Sequence, residues 1–157
     1  MINMHASGGI EMMQAARESA NAAAKNAKKK TPILLGVTIL TSMDEDRFQS
    51  NFGSERKITE QVVYLAEQAK AAGLDGVVAS PLEIEPIRQA CGDKFLIVTP
   101  GIRPTWSDVG DQRRFTTPSE AISMGTDYIV VGRPIIKDDD PLEAAERILD
   151  EMEGSKK

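Results

Sequence analysis

Four short apolar runs, each continuous rather than alternating, constrain this chain more than any other feature. They are Ile33 to Leu40, Gly76 to Ala79, Phe95 to Val98 and Tyr128 to Val131. A strand that is apolar at successive positions has both faces buried, as in a parallel sheet covered by helices. Helical segments separate the runs: Glu11 to Ala27, Ile58 to Ala72, Leu82 to Cys91, Pro118 to Met124 and Pro141 to Met152. Consecutive parallel strands need a long crossover between them, so strictly alternating strand and helix predict an α/β fold built on a parallel sheet.

Helix ends repeat a signature. "AKAAGLDGVVAS" and "AISMGTDYIVVGR" each place Gly, one residue and Asp before an apolar run. Gly73 and Gly125 suit the left-handed position that ends a helix, and the recurrence fits a repeated βα unit. In "TTPSEAI", Thr117, Pro118 and Glu120 stand in capping-box register, so a helix begins there. Lys28 to Lys30 reads as a solvated helix end, and residues 153–157 as a frayed tail.

With 157 residues, one domain spanning 1–157 is the expectation. A net charge of −5 supplies no broad basic surface, which argues against nucleic acid as a partner. No apolar run approaches the roughly 20 residues that span a bilayer, so no membrane is expected. The single Cys91 forms no internal disulfide, and the N-terminus lacks a basic segment leading into an apolar signal region. These features point to the cytoplasm.

Basic residues are nevertheless concentrated in "VTPGIRPTWSDVGDQRRFTTP", residues 98–118, where Arg103, Gln112, Arg113 and Arg114 follow a strand. In a barrel of parallel βα units, sites form at the C-terminal strand ends, and a phosphate commonly sits on the loops after the last two strands. The final strand leads into Gly132 and Arg133, a glycine open to close ligand approach followed by a fork-shaped cation. Two neighbouring strand ends thus converge on one anion, with Gln112 as a hydrogen-bonding partner and Arg103, Arg113 or Arg114 adding charge. Elsewhere, His5 is the only histidine and fits strand-end packing as well as a donor role. Ser7 to Gly9 fits an anion-binding helix start or a tight turn. Thr38 and Thr41, an odd number of residues apart, face opposite sides of a regular strand. Asp138 to Asp140 precedes Pro141, where acids cap helices, and no metal is expected.

"MHASGG", "GVTILTSM", "GLDGVVAS", "VTPGIRP", "DQRRFTTPSEAI" and "DYIVVGRPI", in this order, resemble the C-terminal part of the bacterial orotidine 5′-phosphate decarboxylase family. The resemblance implies a partial (β/α)8 TIM barrel, about strands 4 to 8 with their helices, starting at "INMHASGG". It implies conversion of orotidine 5′-phosphate (OMP) to UMP and CO2, the final step of pyrimidine nucleotide synthesis, with no cofactor and no metal. Family contacts to phosphate and nucleotide fall on Gln112, Gly132 and Arg133, and Arg103 and Thr41 match further positions lining the nucleotide site. Residues 98–118 then correspond to the family's phosphate-gripping lid. The family's chemistry belongs to a Lys and Asp network with a D-x-K-x-x-D motif, and no such motif occurs here. A whole barrel typically needs about 250 residues, so a fragment without catalytic residues of its own, inactive alone, is expected. Its partners are the nucleotide and either a second copy or a complementing barrel fragment, because open strand edges invite pairing. A non-catalytic nucleotide-binding module is the alternative, and a phosphate-sugar enzyme of the same superfamily fits the joined "PGIRP" and "DQRR" motifs less well.

Overall fold

The computed structural model describes residues 1–107, 110 and 113–154. Its elements alternate as β1 (Ile2–His5), α1 (Ile10–Asn26), β2 (Leu34–Val37), α2 (Glu45–Phe52), α3 (Ile58–Ala71), β3 (Gly76–Val78), α4 (Ile84–Cys91), β4 (Leu96–Thr99), α5 (Pro118–Ser123), β5 (Tyr128–Ile129), α6 (Arg133–Ile136) and α7 (Pro141–Gly154). All strand pairs are parallel and the sheet order is β1-β2-β3-β4-β5. Sequence order equals spatial order, the succession of a singly wound barrel. A doubly wound sheet would reverse direction at a switch point.

The core lies between the sheet and its helices. Val77 and Ile97 at the sheet centre, Val62, Ala66 and Ala69 of α3, and Ile87 of α4 are all fully buried. Each large aliphatic side chain buried in this way contributes about 1.5–3 kcal/mol. The alanines let α3 approach the sheet closely.

The repeated Gly-x-Asp signature proves to be a repeated structural device. Gly73 and Gly125 both adopt left-handed backbone, with φ of 80° and 91°. Asp75 Oδ2 accepts the Leu34 N–H at 2.7 Å and pairs with Arg17 of α1 at 2.6 Å, while Arg17 Nε donates to the Gly73 carbonyl at 2.8 Å. Asp127 Oδ2 likewise accepts the Ile97 N–H at 2.7 Å and pairs with Arg88 of α4 at 2.6 Å, and Arg88 donates to the Gly125 carbonyl at 3.0 Å. In both cases an aspartate entering one strand holds the preceding strand and an arginine from the helix before that. The two clamps lie at the N-terminal ends of the strands, so the opposite ends are left for a site.

Several expectations need correction. The strand predicted from Ile33 to Leu40 ends at Val37, so the alternation argument does not reach Thr38 or Thr41, and both are buried. Helix α2 carries only Phe48 as a buried residue and therefore shows no apolar periodicity. Its capping signals were present, however: Asp44 accepts the Arg47 N–H at 3.0 Å, and Gly53 closes the helix at φ 58°. The one-turn α6 was likewise unforeseen. At the C-terminus α7 extends through Gly154, so Glu153 and Gly154 are helical, and residues 155–157 of the expected tail lie outside the described residues. The capping box at Thr117 forms as expected, with Glu120 accepting the Thr117 N–H at 3.0 Å and Thr117 Oγ1 accepting the Glu120 N–H at 3.3 Å.

Candidate functional site

Parallel pairing gathers the C-terminal strand ends on one side. Beyond β2, the Thr38 hydroxyl donates to the Val78 carbonyl at 2.8 Å, and the chain turns at Thr41, 6% exposed. Beyond β3, Ser80 opens a 3-10 turn over Pro81–Glu83, which places Glu83 inside the protein at 1% exposure. The loop 100–117 follows β4. Three residues beyond the end of β5 at Ile129, Gly132 caps α6, and Arg133 is the first residue of that helix.

The loop crosses these ends and is held at both sides. Its returning stem pairs with its outgoing one: the Arg103 N–H donates to the Thr116 carbonyl at 2.9 Å, and Ile102 and Thr116 form a parallel bridge. The backbone N–H groups of Arg113 and Arg114 both donate to the Thr41 carbonyl at 3.2 Å. Arg114 Nη1 pairs with Glu83, and its Nη2 donates to the Ile39 and Leu40 carbonyls, each at 3.2 Å. Towards β5, Gly110 has φ of +62°, and a Cβ there would stand 2.9 Å from Arg133 Nη1. The positive φ favours glycine there, and the loop lies directly against the end of the Arg133 side chain.

A cavity of about 260 Å³ opens under this part of the loop, lined by Trp106, Ser107, Gly110, Arg133, Lys137 and Asp138 among others. The Arg147 guanidinium stacks on the Trp106 ring at 4.0 Å and pairs with Asp138 at 2.7 Å. Two cations, Arg133 and Lys137, thus share a small cavity with a loop folded against it, which suits an anion of phosphate size. A larger cavity of about 550 Å³ sits beyond β1 and β2 against His5, Thr38, Leu40, Phe48, Phe52 and Tyr64. Among the described residues no Lys or Arg lines it.

The predicted site residues fall into distinct roles. Arg133 lies in the cationic cavity, and Gly132 stands beside it, with no atom of the described residues other than its chain neighbours within 4 Å of where a Cβ would be. Thr41 and Arg103 are joined through the loop stem. Arg103 is 6% exposed and its Nη1 donates to the Ile102 carbonyl at 2.7 Å. Gln112 lies outside the described residues. Arg114 is corrected: its charge is met by Glu83, so it holds the stem instead of adding a free cation for phosphate. Arg113 is exposed and stands 4.0 Å from Asp44. Lys137, which the sequence did not single out, also lines the cavity; it is the C-cap of α6, a helix too short to show periodicity.

Burial raises the Glu83 carboxyl above its ordinary value, and the Arg114 guanidinium, which opposes the shift, does not outweigh desolvation. Asp138 and Asp140 serve structure: Asp140 Oδ1 accepts the Leu142 and Glu143 N–H groups at 3.1 and 3.0 Å, and Asp138 holds Arg147. Among the described residues no group of three acidic, His or Cys side chains is placed to hold a metal. Ser7 and Gly8 lie in the 3-10 turn Ala6–Gly8, and Gly9 follows it at φ 93° into α1.

Comparison with known proteins identifies what this arrangement is similar to. Residues 1–148 match the model of the orotidine 5′-phosphate decarboxylase / HUMPS family. The orotidine 5′-phosphate decarboxylase of Moorella thermoacetica is 50% identical over 153 residues, covering 98% of this chain and 61% of that protein. That of Trichlorobacter lovleyi is 52% identical, covering 97% and 62%. The crystal structure of orotidine 5′-phosphate decarboxylase from Lactobacillus acidophilus superposes with a TM-score of 0.79 at 40% identity, over 96% of this chain and 62% of that one. The chain thus spans about 62% of the length of such relatives, and its five-stranded parallel sheet is a partial barrel.

Proposed function

We propose, starting from a chain that belongs to the orotidine 5′-phosphate decarboxylase / HUMPS family, that it binds the nucleotide of the decarboxylation of OMP to UMP and CO2. The observation that carries this is the cationic cavity under the loop. Arg133 and Lys137 meet there a loop whose Gly110 is pressed against the Arg133 guanidinium. In this reading Arg133, the Gly132 backbone and Gln112 grip the 5′-phosphate, Lys137 adds charge at the cavity wall, and Thr41 and Arg103 order the nucleotide end facing β2 and β4. Residues 1–157 act as one domain of a cytoplasmic protein.

Phosphate binding of this kind serves catalysis at a distance, because binding energy from a non-reacting group can hold the reacting ring in place. The carbon–carbon bond cleavage and the protonation that follows belong, by the family resemblance, to a Lys and Asp network with a D-x-K-x-x-D motif. This sequence contains no such motif, the observation that favours a second reading, a nucleotide-binding module without turnover. In either case the strand edges have an evident use. β1 and β5 each pair on one side only, with Ile2, Tyr128 and Val130 about half exposed, and a second copy or a complementing barrel fragment would cover them.

The test is CO2 release from OMP by the purified chain beside an identically prepared Arg133→Ala variant. No turnover, with UMP bound by the wild type and weakly by the variant, is expected. Turnover that disappears in the variant would mean that catalytic groups reside in this chain. Failure of the wild type to bind UMP would remove the nucleotide reading itself.

A further inference from the structure

Glu83 lies on no element that touches the cationic cavity, yet it is one of the most deeply buried charged side chains, at 1% exposure. It faces Arg114 at the base of the loop, and that arginine reaches two backbone carbonyls of the β2 end. The same stem gives its Arg113 and Arg114 N–H groups to the Thr41 carbonyl, and its Thr116 carbonyl accepts from Arg103. The Arg113–Thr116 stem is therefore a bracket between the two buried nucleotide-site candidates, Thr41 and Arg103, and Glu83 is the counter-charge that holds it. Burying both charges is costly: a well-packed apolar pair of similar volume is often as stable or more so. Stability alone therefore does not account for an ion pair here. Geometry does, because the guanidinium fork fixes direction as well as distance, which an apolar contact does not.

We propose that Glu83 is a positioning residue for the nucleotide site, acting through Arg114 to fix the loop stem and, through it, Thr41 and Arg103. This rests on the nucleotide reading for its consequence in binding, but not for its consequence in the loop. Trp106 is the only tryptophan and stands three residues after Arg103, stacked on Arg147. Its fluorescence reports the loop without any ligand.

The experiment compares wild type, Glu83→Gln and the double variant Glu83→Leu/Arg114→Met. Glu83→Gln leaves Arg114 without a counter-charge; the double variant removes both charges and keeps apolar packing, so it stays folded if Glu83→Gln does not. Two readouts are taken: acrylamide quenching of Trp106 in the free protein, and the ratio of UMP to uridine affinity. In the double variant the thermal midpoint is expected at or above that of wild type, while Trp106 quenching rises at least about twofold and the UMP-to-uridine ratio falls about tenfold. That fall corresponds to one charged hydrogen bond to phosphate displaced from its optimum. A double variant that is folded with wild-type quenching would overturn the proposal, since the pair would then be packing and nothing more. Should the wild type fail to bind UMP, the nucleotide reading fails, and quenching still decides whether Glu83 fixes the loop.

Discussion

Removing the Asp127 carboxylate should weaken the fold substantially and leave the candidate site untouched. In Asp127→Ala the Ile97 N–H, on a fully buried residue at the sheet centre, loses its acceptor at 2.7 Å. Leaving such a donor unpaired, when the lost acceptor was charged, costs about 1.5–3 kcal/mol. The Arg88 pair at 2.6 Å, with side chains 18% and 30% exposed, adds up to about 1 kcal/mol after solvent screening. Arg88 itself is not stranded, because it also donates to the Gly125 carbonyl at 3.0 Å and to that of Phe95. The sum, about 2–4 kcal/mol, corresponds to a fall in thermal midpoint of roughly 4–16 °C for a chain of this size. Asp127→Asn keeps an oxygen for the Ile97 N–H and loses only the charge, so its midpoint should fall by less than half as much. Thermal denaturation followed by circular dichroism measures both variants, and UMP titration at 15 °C should give affinities within about twofold of wild type. An Asp127→Ala midpoint within 1–2 °C of wild type (roughly half a kcal/mol), or an Asn variant as weak as the Ala one, would refute the account of the clamp.

Asp75→Ala should destabilise by a similar amount through Leu34 and Arg17, and the two aspartate variants should combine additively in thermal denaturation, as independent sites do. Gly110→Ala places a methyl against the end of the Arg133 side chain and forces a left-handed backbone at a cost of about 1 kcal/mol; calorimetry should show UMP affinity several-fold weaker with a midpoint lower by about 2–4 °C. The hydrogen bonds that Thr116 and Thr117 donate to Glu120 hold its carboxyl below the ordinary 4.5, so its contribution is present above that value and is lost as pH falls through the lowered one. Glu120→Gln should therefore flatten the acid limb of a stability profile measured by urea denaturation. Burial moves Glu83 the opposite way: the fold gains the proton more readily than the unfolded chain, so stability falls as pH rises from 4.5 through the raised value. At micromolar concentration, light scattering should find the chain self-associated through its β1 and β5 edges; a stable monomer would show those edges to be covered from within.

What the sequence made legible follows from periodicity and punctuation. Continuous apolar runs located β2 to β4 because a two-sided buried strand leaves that mark, whereas the run predicted as a buried strand from Tyr128 to Val131 is a two-residue edge strand, Tyr128–Ile129, with Tyr128 half exposed; capping residues located the start of α5. β1 escaped that signal: it is an edge strand with only Met4 half-buried, and the family resemblance alone indicated it. The Gly-x-Asp repeat was visible as punctuation, but its arginine partners stand 58 and 39 residues away, too far for any local pattern. Which of Arg103, Arg113 and Arg114 is neutralised was hidden for the same reason. The partner of Arg114, Glu83, lies on another strand end, and a local run of arginines does not reveal which of them is neutralised inside the protein. The place of Arg133 at the cavity could be expected because it closely follows the apolar run 128–131, whereas Lys137, the C-cap of a one-turn helix, carries no periodic signal.

The claim that the C-terminal strand ends form a phosphate grip is tested most directly by titrating the wild-type chain with UMP and with uridine at low ionic strength. Several charged hydrogen bonds to one phosphate predict that UMP binds at least roughly a hundredfold more tightly than uridine, with the difference shrinking as salt is raised. Equal affinity for the two, or a difference indifferent to salt, would contradict it.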